Sequence, residues 1–394
     1  IYTGIRISER HFVMATVRPL PDFPDYRTAK PPAAKRWLGA GALLVPAVGA
    51  ASALLRGTDA SSGIVFAAML FTLTVMGLFW LLSLLYYRFS IHHSSTWKAE
   101  VAQVQSHWWY QHRRQFSLED VVLIGPAGAE MMDWLRLLKR KQKAPAERQE
   151  ANGKALRVAR SFSSDATERG NQLARMLVLQ WKRQREGKKL LSPQRFYWQG
   201  SESVWQAFVA QIKDSFPGIV LPELPIMWKG ERSLSDIAAF LDSEGDGTQI
   251  LVAGCQSEVP SAEDLLPAGE AAALWLVSAE GAVLLSQGEY FSPSATEYLK
   301  DVCERAQKQS ELDSAPDACI LFSHPQQSEL AGSGWNVTHH LQDNFWGNTG
   351  KLEALVVISL AAIFAQSQSQ PCGWIATDPL HPLALGIVKP HENR

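Results

Sequence analysis

Residues 63–87 read GIVFAAMLFTLTVMGLFWLLSLLYY, an uninterrupted apolar run without a charged residue. A transmembrane helix needs about 20 such residues, whereas a helix in a soluble core normally keeps polar residues on one face. This run has almost no polar face. Tyr86 and Tyr87 stand at its end, where aromatic rings favour the membrane–water interface. The stretch therefore predicts a transmembrane helix.

A second apolar run precedes the first and predicts a partner helix. Residues 37–55, WLGAGALLVPAVGAASALL, are also uncharged and just long enough to span a bilayer. Only the short stretch RGTDASS, residues 56–62, separates the two runs, so we predict an antiparallel transmembrane hairpin over 37–87. Small residues in the first helix should let the second approach closely; they are Gly39, Gly41, Ala47, Gly49 and Ala50.

Basic residues flank the hairpin on both sides and predict its orientation. The connecting stretch contains only Arg56, beside Asp59, whereas the flanks are richer in cations: Arg18, Arg27, Lys30, Lys35, Arg36, Arg88, Lys98, Arg113 and Arg114. Positive flanks stay in the cytoplasm. We therefore expect the bilayer to hold residues 37–87 and the large C-terminal part to be cytosolic.

Several other sequence features bound the interpretation. The residues before the hairpin, 1–36, form a polar tail; Ile1 is not a start residue and Met14 is the first methionine, so we expect residues 1–13 to lie upstream of the translated protein. The formal net charge of −1 does not favour a nucleic-acid partner. The four cysteines are far apart, which favours buried thiols over disulfides or zinc.

Residues 88–154 predict a juxtamembrane helical and linker region. Residues 92–114 contain many aromatic and histidine side chains, but their spacing fits no metal site, so an interfacial or packing helix is the better interpretation. Residues 130–143 predict an amphipathic helix. Its basic end either rests on anionic lipid or is simply solvated. Residues 144–154 are polar and predict a loop.

Residues 155–394 alternate between helical and strand patterns, which is typical of an α/β domain with helices covering a sheet. Clear strand patterns are TQILVAG, residues 248–254, and AAALWLVS, residues 271–278. Residues 350–366, GKLEALVVISLAAIFAQ, have charges in the first turn and too short an apolar run to span a membrane. We predict a buried central helix there.

Three stretches, in order, resemble the thiolase and β-ketoacyl-synthase superfamily. They are SLSDIAAFLDSEGDGTQILVAGCQSEV from Ser233, GEAAALWLVS from Gly269 and FWGNTGKLEALVVISLAAIFA from Phe345. In that family a nucleophile-bearing helix leads into a strand ending in glycines, a Gly-Glu-Gly-Ala-Ala strand follows, and a glycine-containing loop later enters a buried helix. The resemblance covers roughly residues 201–389. It implies a thiolase-like layered sheet-and-helix fold and makes a homodimer through a sheet edge plausible.

The catalytic residues that this resemblance implies are largely missing. The family has a cysteine at the start of the nucleophile helix, where the helix lowers its pKa. The matching stretch 231–235 has only Ser233 and Ser235 as nucleophile candidates. His324 matches one family histidine without its glycines, and Lys351 is the other candidate, matching a family lysine. We therefore expect a non-catalytic scaffold.

The order of membrane segment, middle region and divergent thiolase-like domain resembles the type VI secretion lipase adapter family. That resemblance implies a bacterial inner-membrane adapter that helps to load a phospholipase effector onto the secretion spike. The alternative is an acyl-transfer or β-ketoacyl-condensing enzyme that uses Ser233 or Ser235 with His324. A third hypothesis is a regulator that senses lipid or acyl ligands without turnover.

Other site chemistry finds little support in the sequence. His339 and His340 stand near Asp343, but a hydrolase triad would need a nucleophile elbow, and no Gly-x-Ser-x-Gly is present. DSEGDG, residues 242–247, lacks the twelfth-position glutamate of a calcium loop. Because P-loop and Rossmann fingerprints are also missing, we expect no cofactor and no metal.

Overall fold

The computed structural model describes two compact units, one within residues 1–109 and one within residues 110–394. The described residues are 20–56, 62–186, 192–245, 247–293, 297–324 and 327–391. The predicted untranslated segment 1–13 and most of the predicted hairpin connection lie outside these ranges.

Two long helices dominate the N-terminal unit. Helix α1 spans Ala34–Arg56 and α2 spans Ser62–His112. Both are long and apolar enough to cross a membrane, and their most apolar windows are almost entirely exposed, with 6% and 0% of the residues buried. These two helices therefore meet the length and composition required of membrane spans.

Helices α1 and α2 approach each other at small residues. A Cβ atom on Gly49 would lie 2.9 Å from Met69 Sδ, and one on Gly41 would lie 3.8 Å from Met76 Cε. The contact moves backward along α1 as it moves forward along α2, so the helices are antiparallel. This confirms the prediction that glycines in the first helix permit a close approach.

Helix α2 is much longer than the predicted span. It does not stop at Tyr87 but continues without interruption to His112. Residues 88–112 contain neither glycine nor proline, the residues that most often end helices. The predicted juxtamembrane helix is therefore continuous with the second apolar run.

A large mixed sheet forms the centre of the C-terminal unit. Its strands in chain order, together with the separate hairpin β2–β3, are β1 (Gln115–Ile124), β2 (Arg148–Glu150), β3 (Gly153–Ala155), β4 (Arg195–Gln199), β5 (Ile226–Met227), β6 (Ile250–Ser257), β7 (Glu270–Ser278), β8 (Val283–Ser286), β9 (Glu289–Phe291), β10 (Ala318–Leu321), β11 (His340–Leu341), β12 (Cys372–Ala376) and β13 (Leu383–Pro390). Across the sheet the order is β11-β10-β12-β13-β8-β1-β7-β6-β4-β5, and β9 pairs with β13. Both ends are parallel and the centre is antiparallel.

Helices cover both faces of this sheet. They are α3 (Met131–Leu138), α4 (Ala166–Gln184), α5 (Glu202–Ser215), α6 (Glu231–Glu244), α7 (Leu299–Gln309), α8 (Gln327–Leu330), α9 (Asp343–Trp346) and α10 (Glu353–Gln368). Ile250 and Val252 of β6 point into a core shared with α3, α6 and α10. Leu251 and Ala253 point to the opposite face, into a core shared with α4 and α5. This alternation gives the layered α/β architecture that the sequence predicted.

The central strand β1 comes from the segment that the sequence assigned to a linker. It pairs antiparallel with β7 on one side and β8 on the other. Asp120 lies in the strand at a register shift, where the Arg185 guanidinium and Trp181 Nε1 both donate to its buried carboxylate. The sheet therefore begins well before the predicted domain start at residue 155.

Helix α10 is the third helix with the length and composition of a span, but it lies inside the domain. In its most apolar window, 67% of the residues are buried. It packs against β12, β13 and α3, and Trp275 Nε1 of β7 donates a 2.7 Å hydrogen bond to Ser359 Oγ. The prediction of a buried central helix is confirmed.

Candidate functional site

The ends of two neighbouring strands position the candidate site. Strands β10 and β12 are parallel neighbours, so the chain leaves both strands at the same edge of the sheet, where α/β folds commonly bind ligands. Ser323 and His324 follow β10, Thr377 and Asp378 follow β12, and Glu353 begins α10. We call the following set the strand-end site: Ser323, His324, Asp343, Glu353, Thr377 and Asp378.

His324 and Glu353 form a buried acid–base pair in the strand-end site. His324 Nε2 lies 3.5 Å from Glu353 Oε1, and the two side chains are 3% and 14% exposed. Within the described residues this nitrogen makes no hydrogen bond. The Thr377 backbone N–H donates a 2.7 Å hydrogen bond to Glu353 Oε1 and fixes the carboxylate.

Burial moves the two pKa values of this pair in opposite directions. It raises the pKa of Glu353 to about 7, although hydrogen bonds from Thr377 lower it in part. It lowers the pKa of His324, although the negative charge of Asp343 and a hydrogen bond to the Ile375 backbone oppose that shift. An acid that exchanges its proton near neutral pH, next to a neutral imidazole, has the properties required for proton transfer.

The two aspartates of the strand-end site are held by hydrogen bonds to their surroundings. Asp343 accepts from the Ser323 backbone N–H and hydroxyl, both at 3.1 Å to Oδ2. Asp378 Oδ2 accepts from the Glu231 backbone N–H at 2.9 Å, which places its negative charge at the start of α6, where the helix dipole favours an anion. Both carboxylates therefore serve to organise loops.

Gly230 stands immediately before α6 and before the stretch 231–235, which the resemblance matches to the nucleophile. Gly230 precedes the first helical residue and has φ 59° and ψ −130°, a backbone conformation that residues with side chains rarely adopt. A Cβ atom at this position would overlap the Asp378 carboxylate. Position 230 therefore has no room for a side chain, and Ser233 and Ser235 remain the nucleophile candidates at the helix start.

The two candidate serines of α6 are engaged in structural hydrogen bonds. Ser233 Oγ accepts from the Lys229 backbone N–H at 2.8 Å. Ser235 Oγ donates to Gln287 Oε1 at 3.0 Å. Throughout the described residues, no hydrogen bond joins either serine to His324.

Lys351, the fourth candidate, lines a separate cavity of about 370 Å³. This cavity lies at the carboxyl ends of β4 and β6, beside the first turn of α4, with Gly200, Ser201 and Ser257 in its wall. The structure therefore brings His324 together with acids that the sequence did not single out, and it places Lys351 in a different cavity.

Sequence reasoning missed Glu353 and Asp378 as site residues, and it considered Asp343 only as a triad partner of His339 and His340. A signal existed for Glu353, because it is the one acid in an otherwise apolar helix. The two aspartates lie 35 residues apart: Asp343 begins α9 shortly after β11, and Asp378 follows β12. Only the parallel pairing of both strands with β10 shows that these strand ends share an edge.

The four cysteines are free and buried, which confirms the expectation of buried thiols. Desolvation raises the pKa of Cys303 to about 12 and raises the pKa values of the other three. Because the thiolate is the nucleophile, such thiols are poor catalysts.

No protein-family model and no curated protein matches this sequence. Among solved structures, the ishigamide ketosynthase/chain length factor is similar at 14% identity and a TM-score of 0.53, over 71% of this chain and 100% of that chain. The ketosynthase from module 1 of the bacillaene synthase of Bacillus amyloliquefaciens FZB42 is similar at 10% identity and a TM-score of 0.50, over 72% and 77%. At these identities the likeness shows the fold alone: the C-terminal unit has a thiolase-like fold, distantly similar to ketosynthase and chain-length-factor domains.

Proposed function

We propose that this chain is a membrane-anchored protein whose thiolase-like domain binds a partner protein and does not condense acyl thioesters. One observation carries the proposal: the stretch 231–235, which the resemblance matches to the nucleophile, offers only Ser233 and Ser235, and both hydroxyls are engaged in hydrogen bonds of the fold. Condensation needs a nucleophile within reach of a base. His324 and Glu353 supply a base and an acid but no attacking group.

The neighbouring hydroxyls and thiols do not replace the missing nucleophile. Ser233 and Ser235 hold the start of α6 through hydrogen bonds to Lys229 and Gln287. The four thiols are buried within packed secondary structure. A fold without its chemistry commonly persists as a binding scaffold, so the function must come from surfaces and not from the strand-end site.

The two apolar helices support anchoring in a membrane. Among the described residues nothing covers the exposed apolar side chains on α1 and α2, and a bilayer would cover them. Cations flank the pair on both sides, so the proposed orientation keeps the thiolase-like domain in the cytoplasm, with the chain in a bacterial inner membrane.

The partner we propose is a secreted lipase effector of a type VI secretion system, or the spike protein that receives it. This rests on the resemblance in order of segments: membrane helices, middle region and divergent thiolase-like domain. A homodimer through a sheet edge is a further prediction, which rests on the thiolase-like resemblance.

Covalent acylation tests the non-catalytic part of the proposal. The full chain in detergent is incubated with short and long acyl thioesters, and its intact mass is measured, with an active ketosynthase treated in parallel. We expect the mass of the chain to stay unchanged while the ketosynthase gains the acyl group. A stoichiometric acyl adduct on any serine of α6 would overturn the proposal.

Reconstitution with a defined partner tests the adapter part. The full chain is co-expressed with a type VI lipase and spike protein from the same genome and captured through a C-terminal tag. Acyl carrier protein is present as a competitor, and the proteins that are recovered with the chain are identified. Co-purification of the lipase or spike protein, at constant ratio through size exclusion, supports the adapter. Recovery of acyl carrier protein in their place overturns it.

A second candidate function, acyl transfer at a divergent site, is favoured by the pair His324 and Glu353. The raised pKa of Glu353, about 7, is typical of a group tuned for proton transfer. Thioester hydrolysis that is lost in His324→Ala and retained in Ser243→Ala, an exposed serine of α6, would support this alternative.

A further inference from the structure

Five cations follow one another at the C-terminal end of helix α3. We call them the basic turn: Arg136, Lys139, Arg140, Lys141 and Lys143. All five are exposed. The chain as a whole has a formal net charge of −1, so this local accumulation of positive charge departs from the average composition.

The basic turn has a fixed backbone and is not a frayed helix end. The Lys141 N–H donates to the Arg136 carbonyl at 2.8 Å, and the Arg140 N–H donates to the Leu137 carbonyl at 2.8 Å. These two bonds form a Schellman motif. Its ordering cost is already met in the folded domain, so a ligand that binds the cations need not order the backbone.

Arg140 occupies the position in this motif where glycine is normally found. Its φ of 58° lies in the left-handed region, which is unfavourable for a residue with a Cβ atom. Glycine would close the helix with less strain. Keeping an arginine here has a conformational cost, and such outliers concentrate where a side chain is needed for function.

Four of the five cations of the basic turn have no carboxylate partner among the described residues. Asp133 lies 3.8 Å from Arg136, the one ion pair between the basic turn and a described carboxylate. The same Asp133 carboxylate accepts the backbone N–H groups of Ala129 and Glu130. Glu130 is paired with Arg183 at 2.8 Å.

The opposite end of α3 supplies apolar contact beside the cations. Met131 and Met132 are exposed at the helix start, while Trp134 is buried and stacks on Trp346 with ring centroids 5.2 Å apart. The helix is thus pinned to the domain by one face and presents methionines and cations on its other faces. Apolar side chains next to cations suit a lipid surface better than nucleic acid or an acidic peptide.

We propose that the basic turn docks on anionic phospholipid headgroups. Two observations favour this occupant: the uncompensated positive charge held in a fixed turn, and the apolar helices α1 and α2 that bring the same chain to a bilayer. The docking rests on membrane anchoring but is independent of which protein the domain binds. It gives the left-handed Arg140 a function, because phosphate groups pair strongly with guanidinium.

Lysine acetylation of the full chain in lipid nanodiscs tests the docking. Discs of phosphatidylcholine alone are compared with discs containing phosphatidylglycerol, and modification of each lysine is followed by mass spectrometry. We expect Lys139, Lys141 and Lys143 to react about threefold or more slowly in the anionic discs, since a juxtamembrane cation is attracted to an anionic surface. The exposed Lys213 and Lys308 on other helices should react equally in both discs.

The variant Arg140→Gly separates docking from folding, because glycine suits the left-handed position. We expect it to weaken the protection of the three lysines severalfold, whereas the matched control Lys213→Gln/Lys308→Gln leaves the protection unchanged. High salt should abolish the protection. Equal reaction rates in the two kinds of disc, for chain that has incorporated into both, overturn the docking while leaving anchoring intact. Protection by RNA or polyglutamate but not by anionic discs overturns it as well.

Discussion

Helix α10 and the pair α1 and α2 are similar in composition and opposite in environment. All three are long and apolar enough to cross a membrane, yet 67% of the apolar window of α10 is buried and almost none of the other two is. Helix α10 begins with Glu353, whereas α1 and α2 have no acid in their first turn. The comparison teaches that apolar content does not distinguish a core helix from a span; surrounding strands and a polar end do.

Among the substitutions considered, a charged residue in the middle of each kind of helix is expected to have the largest effect, on domain stability in one case and on membrane insertion in the other. Ile358→Asp places an unpaired carboxylate at a fully buried position of α10 and should cost the domain more than about 4 kcal/mol of unfolding free energy. Leu73→Asp in exposed α2 should leave domain unfolding unchanged and cost membrane insertion about 3 kcal/mol. Thermal unfolding by near-UV circular dichroism and the membrane-bound fraction measure the two effects. A loss of domain stability in Leu73→Asp would break the comparison.

Glu353 should make domain stability depend on pH. Burial raises the pKa of Glu353 in the folded chain to about 7, so the fold favours the protonated form. Stability is therefore lost as the pH rises from the ordinary pKa of a glutamate toward 7. Glu353→Gln keeps an acceptor for Thr377 and should be more stable than the parent by up to about 3 kcal/mol at pH 8, with little difference near pH 4.

The difference between parent and variant isolates Glu353, because the lowered pKa of His324 acts in the opposite direction and is common to both chains. Denaturant unfolding across pH measures it, with the exposed Glu304→Gln as control. A difference independent of pH would show that Glu353 is not buried as described.

A smaller effect is expected from Ser359→Ala inside α10. Ser359 Oγ accepts from Trp275 Nε1 at 2.7 Å, and the serine is fully buried. Its removal leaves the indole N–H without this partner and should cost about 1–2 kcal/mol. Ser243→Ala in α6, whose exposed hydroxyl also bonds to its own helix, should cost far less. Equal losses in chemical denaturation would argue against a special role for the buried bond.

The smallest effect concerns α3, which packs on α10. Arg140→Gly relieves the left-handed strain at the end of α3 and should raise the unfolding free energy by about 0.5–1 kcal/mol. The direction is informative, because a stabilising substitution that weakens lipid protection would show that the arginine is kept for binding. Arg136→Gly, inside the helix, is the destabilising counterpart. A fall in stability in Arg140→Gly would remove that argument.

Sequence patterns predicted much of the sheet but missed its centre. Strands β6 and β7 were recognisable because they are long runs of buried apolar residues. Strand β1 was not, because Glu119 and Asp120 interrupt its pattern; Arg185, far along the chain, makes that interruption tolerable. Local patterns show a strand's own residues but not the distant cation that neutralises them.

The sequence pointed to one residue of the candidate site but not to the residues that surround it. The resemblance pointed to His324, whereas Ser233 and Ser235 depended on an alignment of the helix start. In the structure Gly230 precedes that helix, and the hydroxyls of both serines form hydrogen bonds with loop residues. The acid facing His324 lies on α10, so only strand order could reveal the pair.

The sequence by itself determined that residues 37–55 and 63–87 are uncharged apolar runs, that residues 155–394 alternate between helical and strand patterns, and that no cysteine stands at the start of α6. These properties depend only on residue type and on spacing along the chain, and both are visible in the amino-acid sequence. Tertiary structure alone decided which strands enclose the predicted buried helix α10, that β1 occupies the centre of the sheet, and that Glu353 meets His324. Those outcomes depend on burial and long-range pairing, because the environment that moves a pKa or covers an apolar face comes from residues far apart in the chain.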